Sequence, residues 1–212
     1  VLSAVPVGKD ETENVTVRKW GEPTKFSFTP KDHIELGKLH DWIDFERGAK
    51  ASGSQFYYLK NEMVLLEQAV VRYALDFLIE KGFAPVSTPD LARSRYYLGT
   101  GYNPKGPEAQ IYTIDGEDLG LIATAEVTLA GLHADEILEK DALPLKYAGI
   151  SHCFRKESGA YGKYSKGLYR VHQFTKVEMF VYALPHQSET LHEELLAAEE
   201  ELYKSLDIPF RL

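Results

Sequence analysis

The stretch from His152 to Phe180 constrains this chain more than any other. It reads as two antiparallel strands joined by a charged loop that is long for a hairpin. On the second strand Arg170, His172, Phe174, Lys176 and Glu178 occupy every other position. Side chains two apart on a strand share a face, so these five point the same way. Tyr169, Val171, Val177, Met179 and Val181 fall on the opposite face, which reads as core. The charged face is a sheet surface that either binds something or lies in water.

The residue types on that face suit a particular kind of ligand. Arg155 and Arg170 offer planar forks for carboxylate or phosphate. Phe174 offers a flat surface for stacking. Glu157 and Glu178 accept hydrogen bonds from amino or hydroxyl groups. At strand rise, Arg170, Phe174 and Glu178 are about 13 Å apart in succession and span about 25 Å in all. That length fits an elongated ligand with a base, a phosphate and a small polar end. A solvated hairpin whose charges pair with one another fits the same residues.

Composition removes several other classes. The 212 residues suffice for one large or two small domains with a real core. The formal net charge of −8 is a poor footprint for gripping nucleic acid unaided, so an RNA partner would be held mainly elsewhere. Cys153 is the only cysteine, which excludes an internal disulfide and points to a reducing compartment. It reads as a small core residue rather than a nucleophile, because its neighbour His152 points to the opposite face. No run is long and apolar enough to span a membrane, and no secretory signal opens the chain. There is no phosphate-binding GxxxxGK[ST] loop and no dinucleotide glycine fingerprint. The seven His show no pair at metal-ligand spacing beside a third donor.

The remaining pattern is α+β. A short helix is expected around Ile34–Leu39, and a long one from Asn61 to Lys81, stopped by Gly82. The long helix has a narrow polar stripe (Gln68, Arg72, Asp76, Glu80) and is otherwise so apolar that cover on more than one side is expected. Residues 83–90 read as extended, and strands are expected at 111–114 and 119–123 around the turn Asp115-Gly116-Glu117-Asp118. Residues 124–133 read as helix, 146–154 as strand, and 188–206 as an amphipathic helix buried through Leu191, Leu195, Ala198, Leu202 and Leu206. Hairpins join strands as often as helices do, which predicts a mostly antiparallel β-sheet with flanking helices.

The hairpin resembles motif 2 of class II aminoacyl-tRNA synthetases, and of the seryl-tRNA synthetases in particular. Three pieces match in order: Phe154-Arg155-Lys156-Glu157, Gly167-Leu168-Tyr169-Arg170-Val171-His172-Gln173-Phe174, and Lys176-Val177-Glu178. Val5-Pro6-Val7-Gly8-Lys9-Asp10-Glu11 looks like the family's link from an N-terminal arm. Lys81-Gly82-Phe83 with Pro89 looks like motif 1, and Thr124-Ala125-Glu126 like its serine-recognition element. The resemblance implies an ATP-dependent ligase that converts L-serine to seryl-adenylate and delivers it to tRNA(Ser), with Mg²⁺ accompanying ATP and no metal ligand within this chain. It implies that Arg155 bridges the α-phosphate and the serine carboxylate. Glu157 would meet the adenine amino group, and Phe174 would stack on adenine flanked by Val171 and His172. Glu178, Thr124 and Glu126 would take the serine amino and hydroxyl groups. It also implies a homodimer, no membrane association, and a cytoplasmic or organelle-matrix setting.

Residues 1–30 are expected to form an extended linker, and 31–212 part of the catalytic domain, with motif 1 at about 70–90 and motif 2 at about 150–180. The chain starts at Val1 without a Met, ends on what looks like the entry to another strand, and has no glycine after Gly167. Both ends are therefore expected to be cut, with the coiled-coil arm and motif 3 lacking and the fragment weakly active or inactive alone. Apart from the motif context, Thr124 reads as a helix N-cap and Pro89 as an edge-strand proline. Lys176 reads as solvent-facing or paired with a neighbouring carboxylate, and Lys156 as having a backbone role at most. The loop 159–166 is expected to be a basic lid carrying Lys163 and Lys166. Two other functions remain compatible: a catalytically silent binding or regulatory module, and an adenylate-forming ligase with a non-tRNA acceptor.

Overall fold

The computed structural model describes residues 8–102, 110–157 and 166–212. The first residues of the expected N-terminal link and all but Lys166 of the expected basic loop lie outside them. In chain order the elements are β1 (Lys19–Trp20), α1 (His33–Leu39), β2 (Ile43–Asp44), α2 (Phe45–Ser52) and β3 (Tyr58–Leu59). There follow α3 (Glu62–Glu80), β4 (Ala84–Ser87), β5 (Leu91–Ala92), α4 (Ser94–Gly99), β6 (Gly120–Leu121) and α5 (Glu126–Gly131). The chain closes with β7 (Leu145–Phe154), β8 (Gln173–Tyr182), α6 (Ser188–Ser205) and β9 (Phe210–Arg211).

A three-stranded sheet, β4-β7-β8, carries the site. β7 and β8 pair antiparallel without a break from Leu145↔Tyr182 to Phe154↔Gln173. β4 lies parallel to β7, the one parallel pair among the described residues, within the mostly antiparallel pattern expected. A parallel pair needs a long crossover, and residues 88–144, with α4 and α5, provide it. One face of the sheet is buried by α3 and α6. Leu78, Phe83 and Ala148 form the centre there, with Val177, Met179, Val181 and Leu195 packed around them. The other face receives α5, whose Leu129 and Ala125 lie against Gly149. A second core of Ala92, Tyr97, Ile111, Ile122 and Val127 forms within the crossover itself.

The period-two reading holds for β8 itself and fails just before it. Val177, Met179 and Val181 are core-facing as expected. However, the strand begins at Gln173, and a 3₁₀ turn, Gly167–Tyr169, precedes it. Tyr169, expected in the core, is therefore 75% exposed, while Val171 is buried. Arg170 and His172 are not strand residues, so the 25 Å extended span does not apply to that end. The 111–123 hairpin is real but short. Ile114 N–H donates to Leu119 O at 2.9 Å and Leu121 N–H to Tyr112 O at 2.8 Å, closing the turn.

The long helix covers one face only. Leu78 is buried, whereas Leu65, Leu66 and Val70 are 70%, 54% and 51% exposed, Leu66 and Val70 bordering a cleft shared with Phe174. No helix among the described residues is long and apolar enough to cross a membrane. At the chain's end β9 pairs antiparallel with β1, and Phe210 stacks on Trp20 with centroids 5.9 Å apart.

α2 was not foreseen. It starts where Asp44 caps the Arg47 amide at 2.9 Å, and it presses so closely on the β3 approach that a methyl group at Gly48 would lie 2.3 Å from Phe56 O. Backbone cannot yield as a side chain does. Gly48→Ala is expected to cost about 1–3 kcal/mol in urea unfolding, as overpacking of a tight contact does. A change within about 0.5 kcal/mol, the usual range for an uncrowded surface position, would contradict this packing.

Candidate active site

Two clusters sit on one face of the β7–β8 pair. Residues opposite each other in an antiparallel ladder share a face. Cys153 pairs with Phe174, Ser151 with Lys176 and Gly149 with Glu178, so Phe174, Lys176 and Glu178 all point toward α5. Arg155, two residues past Cys153, continues the same face.

At the first cluster the Arg155 guanidinium lies over the Phe174 ring, 5.1 Å from its centroid. Its Nε donates to Ala123 O at 3.2 Å, which fixes the plane of the fork. Neither side chain is buried in the interior. The backbone beside them is laced across the hairpin. Arg155 N–H donates to His172 O at 3.0 Å, and His172 Nδ1–H donates to Arg155 O at 2.7 Å. Glu157 takes a hydrogen bond from Arg170 Nη1 at 2.9 Å. A cleft of about 720 Å³ borders this end, lined by Arg155, Glu157, Arg170, Val171, Phe174 and Leu66 of α3. Arg155, Glu157, Val171, His172 and Phe174, expected to form one subsite, are thus together.

The second cluster joins Thr124 to β8. The Thr124 hydroxyl is almost wholly buried, 1% exposed. It donates to Glu178 Oε2 at 2.9 Å and accepts from Lys176 Nζ at 2.6 Å and from Glu126 N–H at 3.2 Å. One donor and two acceptor positions are all that a hydroxyl has. The N-cap position of α5 falls on Ala125, one residue later than expected, but the Thr124 hydroxyl still accepts the first amide of α5 while it donates to the Glu178 carboxylate. Lys176 is ion-paired with Glu178 as the neighbouring-carboxylate reading allowed, but it lies inside the cluster. Glu126 is half-buried at the start of α5. Tyr102 stands close by. Its hydroxyl pKa is raised chiefly by burial and then by the Glu126 and Glu178 carboxylates, with Arg155 opposing.

The other candidates resolve plainly. Lys156 N–H donates to Gln110 O at 3.0 Å, a backbone role. His152 Nδ1 faces Asp90 Oδ2 at 2.9 Å, so it does not serve Cys153. Cys153 is fully buried and burial pushes its thiol pKa up, as a core residue requires. Among the described residues no group of three or more His, Cys, Asp or Glu is placed to hold a metal ion. Tyr102, Ala123 and Gln110 were not singled out from the sequence. They come from the crossover, and no local pattern links them to the hairpin.

The chain as a whole is similar to known proteins. Residues 111–212 match the family model described as tRNA synthetase class II core domain (G, H, P, S and T). The serine–tRNA ligases of Rubrobacter xylanophilus and Dictyoglomus turgidum are 57% and 58% identical over 207 residues, which is 98% of this chain. This chain is a homologue of the serine–tRNA ligases. It spans about half their length, 49% in both cases. The fold agrees as closely. The crystal structure of seryl-tRNA synthetase from Pyrococcus horikoshii complexed with ATP superposes with a TM-score of 0.92 at 46% identity, covering 99% of this chain and 51% of that one. The cytoplasmic serine–tRNA ligase from Naegleria fowleri in complex with AMP gives 0.93 at 34% identity, covering all of this chain and 50% of that one. The α+β, class II synthetase architecture expected from the hairpin is therefore the architecture of the serine–tRNA ligase homologues.

Proposed function

We propose that this chain carries the adenylate-forming site of a serine–tRNA ligase. A serine carboxylate oxygen attacks the α-phosphorus of ATP, the bond to the β-phosphate breaks, and pyrophosphate leaves. The seryl group of the adenylate then passes to the 3′ end of tRNA(Ser), and AMP leaves. The observation that carries this reading is the Arg155 guanidinium over the Phe174 ring at one end of the face, with the Thr124–Glu178 pair at the other.

Each group has a physical task. Two anions must meet, so the site works by positioning and by neutralising charge. Arg155, its plane set by Ala123 and Phe174, presents a fork that suits an α-phosphate oxygen and a carboxylate at once. Phe174 gives adenine a surface to stack on, beside Val171 and His172. Glu157 accepts from the adenine amino group. Glu178 takes the serine ammonium, with Thr124 and Glu126 completing the polar wall. Lys176 already satisfies Thr124 and Glu178 with an ammonium, the charge type that serine brings. Mg²⁺ enters as part of the ATP substrate, carried on its phosphates. A homodimer formed through the exposed apolar side of α3 and a cytoplasmic setting belong to the same proposal. The lone buried thiol supports the setting.

The test is serine-dependent ATP–pyrophosphate exchange by the full-length protein. Exchange is expected with serine, and strongly reduced with alanine, which leaves a buried acceptor unpaired. Exchange that proceeds equally without added serine would rule the reading out.

A further inference from the structure

The return arm of the hairpin is held from outside the sheet by α1. A capping box makes the start of that helix rigid. Asp32 Oδ1 accepts from the amides of Ile34 and Glu35 at 3.0 and 2.9 Å, and Glu35 Oε2 accepts from Asp32 N–H at 3.0 Å. This turn offers two groups to residues 166–169. Asp32 Oδ2 takes Lys166 Nζ at 2.5 Å. His33 Nε2 accepts the Leu168 N–H at 3.0 Å, across 135 residues of sequence. The edge of the Tyr169 ring meets the imidazole with centroids 5.1 Å apart. Between these contacts Gly167 has φ +63°, and a methyl group there would lie 2.0 Å from His33 Nε2. Glycine is required for the backbone conformation and for the space.

The held turn leads straight into the first cluster. Arg170 follows and bonds Glu157. Val171 is buried. His172 donates its amide to Gln55 O at 3.2 Å and exchanges backbone contacts with Arg155. Only three residues separate the amide that His33 holds from the residue that braces Arg155.

We propose that His33 is a positioning residue for the nucleotide end of the site: by accepting the Leu168 amide it fixes the 167–169 turn, and through it the Arg170–Glu157 pair and the His172–Arg155 brace. This rests on the adenylate-forming reading. His33 is not among the proposed contacts of either substrate. Its effect should fall more heavily on ATP than on serine, which shares only Arg155 with this end and takes its other proposed contacts further along β8 and on α5.

The experiment uses the full-length protein with His33→Ala, His33→Gln, Gly167→Ala and the His33→Ala/Gly167→Ala double variant. ATP binding is titrated directly, KM is measured for ATP and for serine, and thermal unfolding is followed. His33→Ala is expected to weaken ATP roughly tenfold, as modest misplacement of a site can, with a clearly smaller rise in serine KM, since Arg155 alone is shared between the two. Glutamine carries an acceptor about where Nε2 stands, so His33→Gln should recover most of the ATP affinity. Gly167→Ala should also weaken ATP, and it should cost less in the His33→Ala background because the clashing ring is gone. The inference fails if wild-type protein binds ATP and His33→Ala binds it equally well. It fails too if His33→Gln is as impaired as His33→Ala, or if ATP and serine KM rise together in step with lost thermal stability. Wild-type protein that binds no ATP would overturn the reading of the site, and this inference with it.

Discussion

Replacing Arg155 by alanine in the full-length protein is expected to lower serine-dependent ATP–pyrophosphate exchange by about 10²–10³-fold, the scale on which loss of one preorganised charge-stabilising group acts. The magnitude separates chemistry from packing. Alanine also removes the guanidinium from the Phe174 ring, and a contact of that kind is worth only about 0.5–1 kcal/mol at an exposed site. That loss lowers a melting temperature slightly and cannot by itself produce a hundredfold drop in a protein that remains folded. Arg155→Lys gives the companion result. An ammonium keeps the charge but is a point donor, and it cannot bridge two anions or lie flat on the ring. Lysine should therefore recover only a small part of the rate. Near-normal exchange by Arg155→Ala, with unfolding unchanged, would remove Arg155 from the chemistry.

The parts of the site that lie on one strand were readable, because period two places Phe174, Lys176 and Glu178 on one face whatever the rest of the chain does. The alternation was carried too far back. Arg170 and His172 keep the spacing but precede the strand, since the left-handed Gly167 and the buried Val171 turn the chain before Gln173. Of the two readings of Lys176, solvent-facing or paired with a neighbouring carboxylate, the pairing is found, with Glu178. Its second partner, Thr124, lies 52 residues away, and nothing local announces it. His33 is the extreme case, with its partner 135 residues distant.

The same division runs through the fold. α3 and α6 were found to within one or two residues, because 18 or 19 residues of helical periodicity are hard to mistake. The two-residue strands β1, β2, β3 and β5 were not, since two residues carry no period. α2 and α4 escaped for a related reason. FERGAKAS is only eight residues long and its inward face is mostly small residues, with Gly48 at its centre, and SRYYLG is a single turn and a half. Both helices are held by what they touch. The exposed side of α3 is legible in its composition alone: a helix this apolar asked for cover on two sides, and the described residues cover one.

Glu178→Gln should raise the KM for serine by about 10–100-fold, the equivalent of the roughly 1.5–3 kcal/mol that a hydrogen bond to a charged group contributes. The KM for ATP should stay within about twofold, because that residue bears on no phosphate or base in the proposed pose. Glutamine keeps the shape, and its amide oxygen can still accept from the Thr124 hydroxyl, now 2.9 Å from Glu178 Oε2. What it lacks is the negative charge that an ammonium needs in a half-buried site. Lys176 loses its ion-pair partner and keeps only its hydrogen bond to the Thr124 hydroxyl. Thr124→Val tests the other half of the pair. Valine matches the shape but cannot donate to Glu178 or accept from Lys176 and the Glu126 amide. It leaves the carboxylate charged and still paired with Lys176, so a smaller rise in serine KM is expected than with Glu178→Gln. If serine binds Glu178→Gln as it binds wild type, then Lys176 and Glu178 form a structural ion pair beside the site. The amino acid must in that case be recognised from the α5 side, by Glu126.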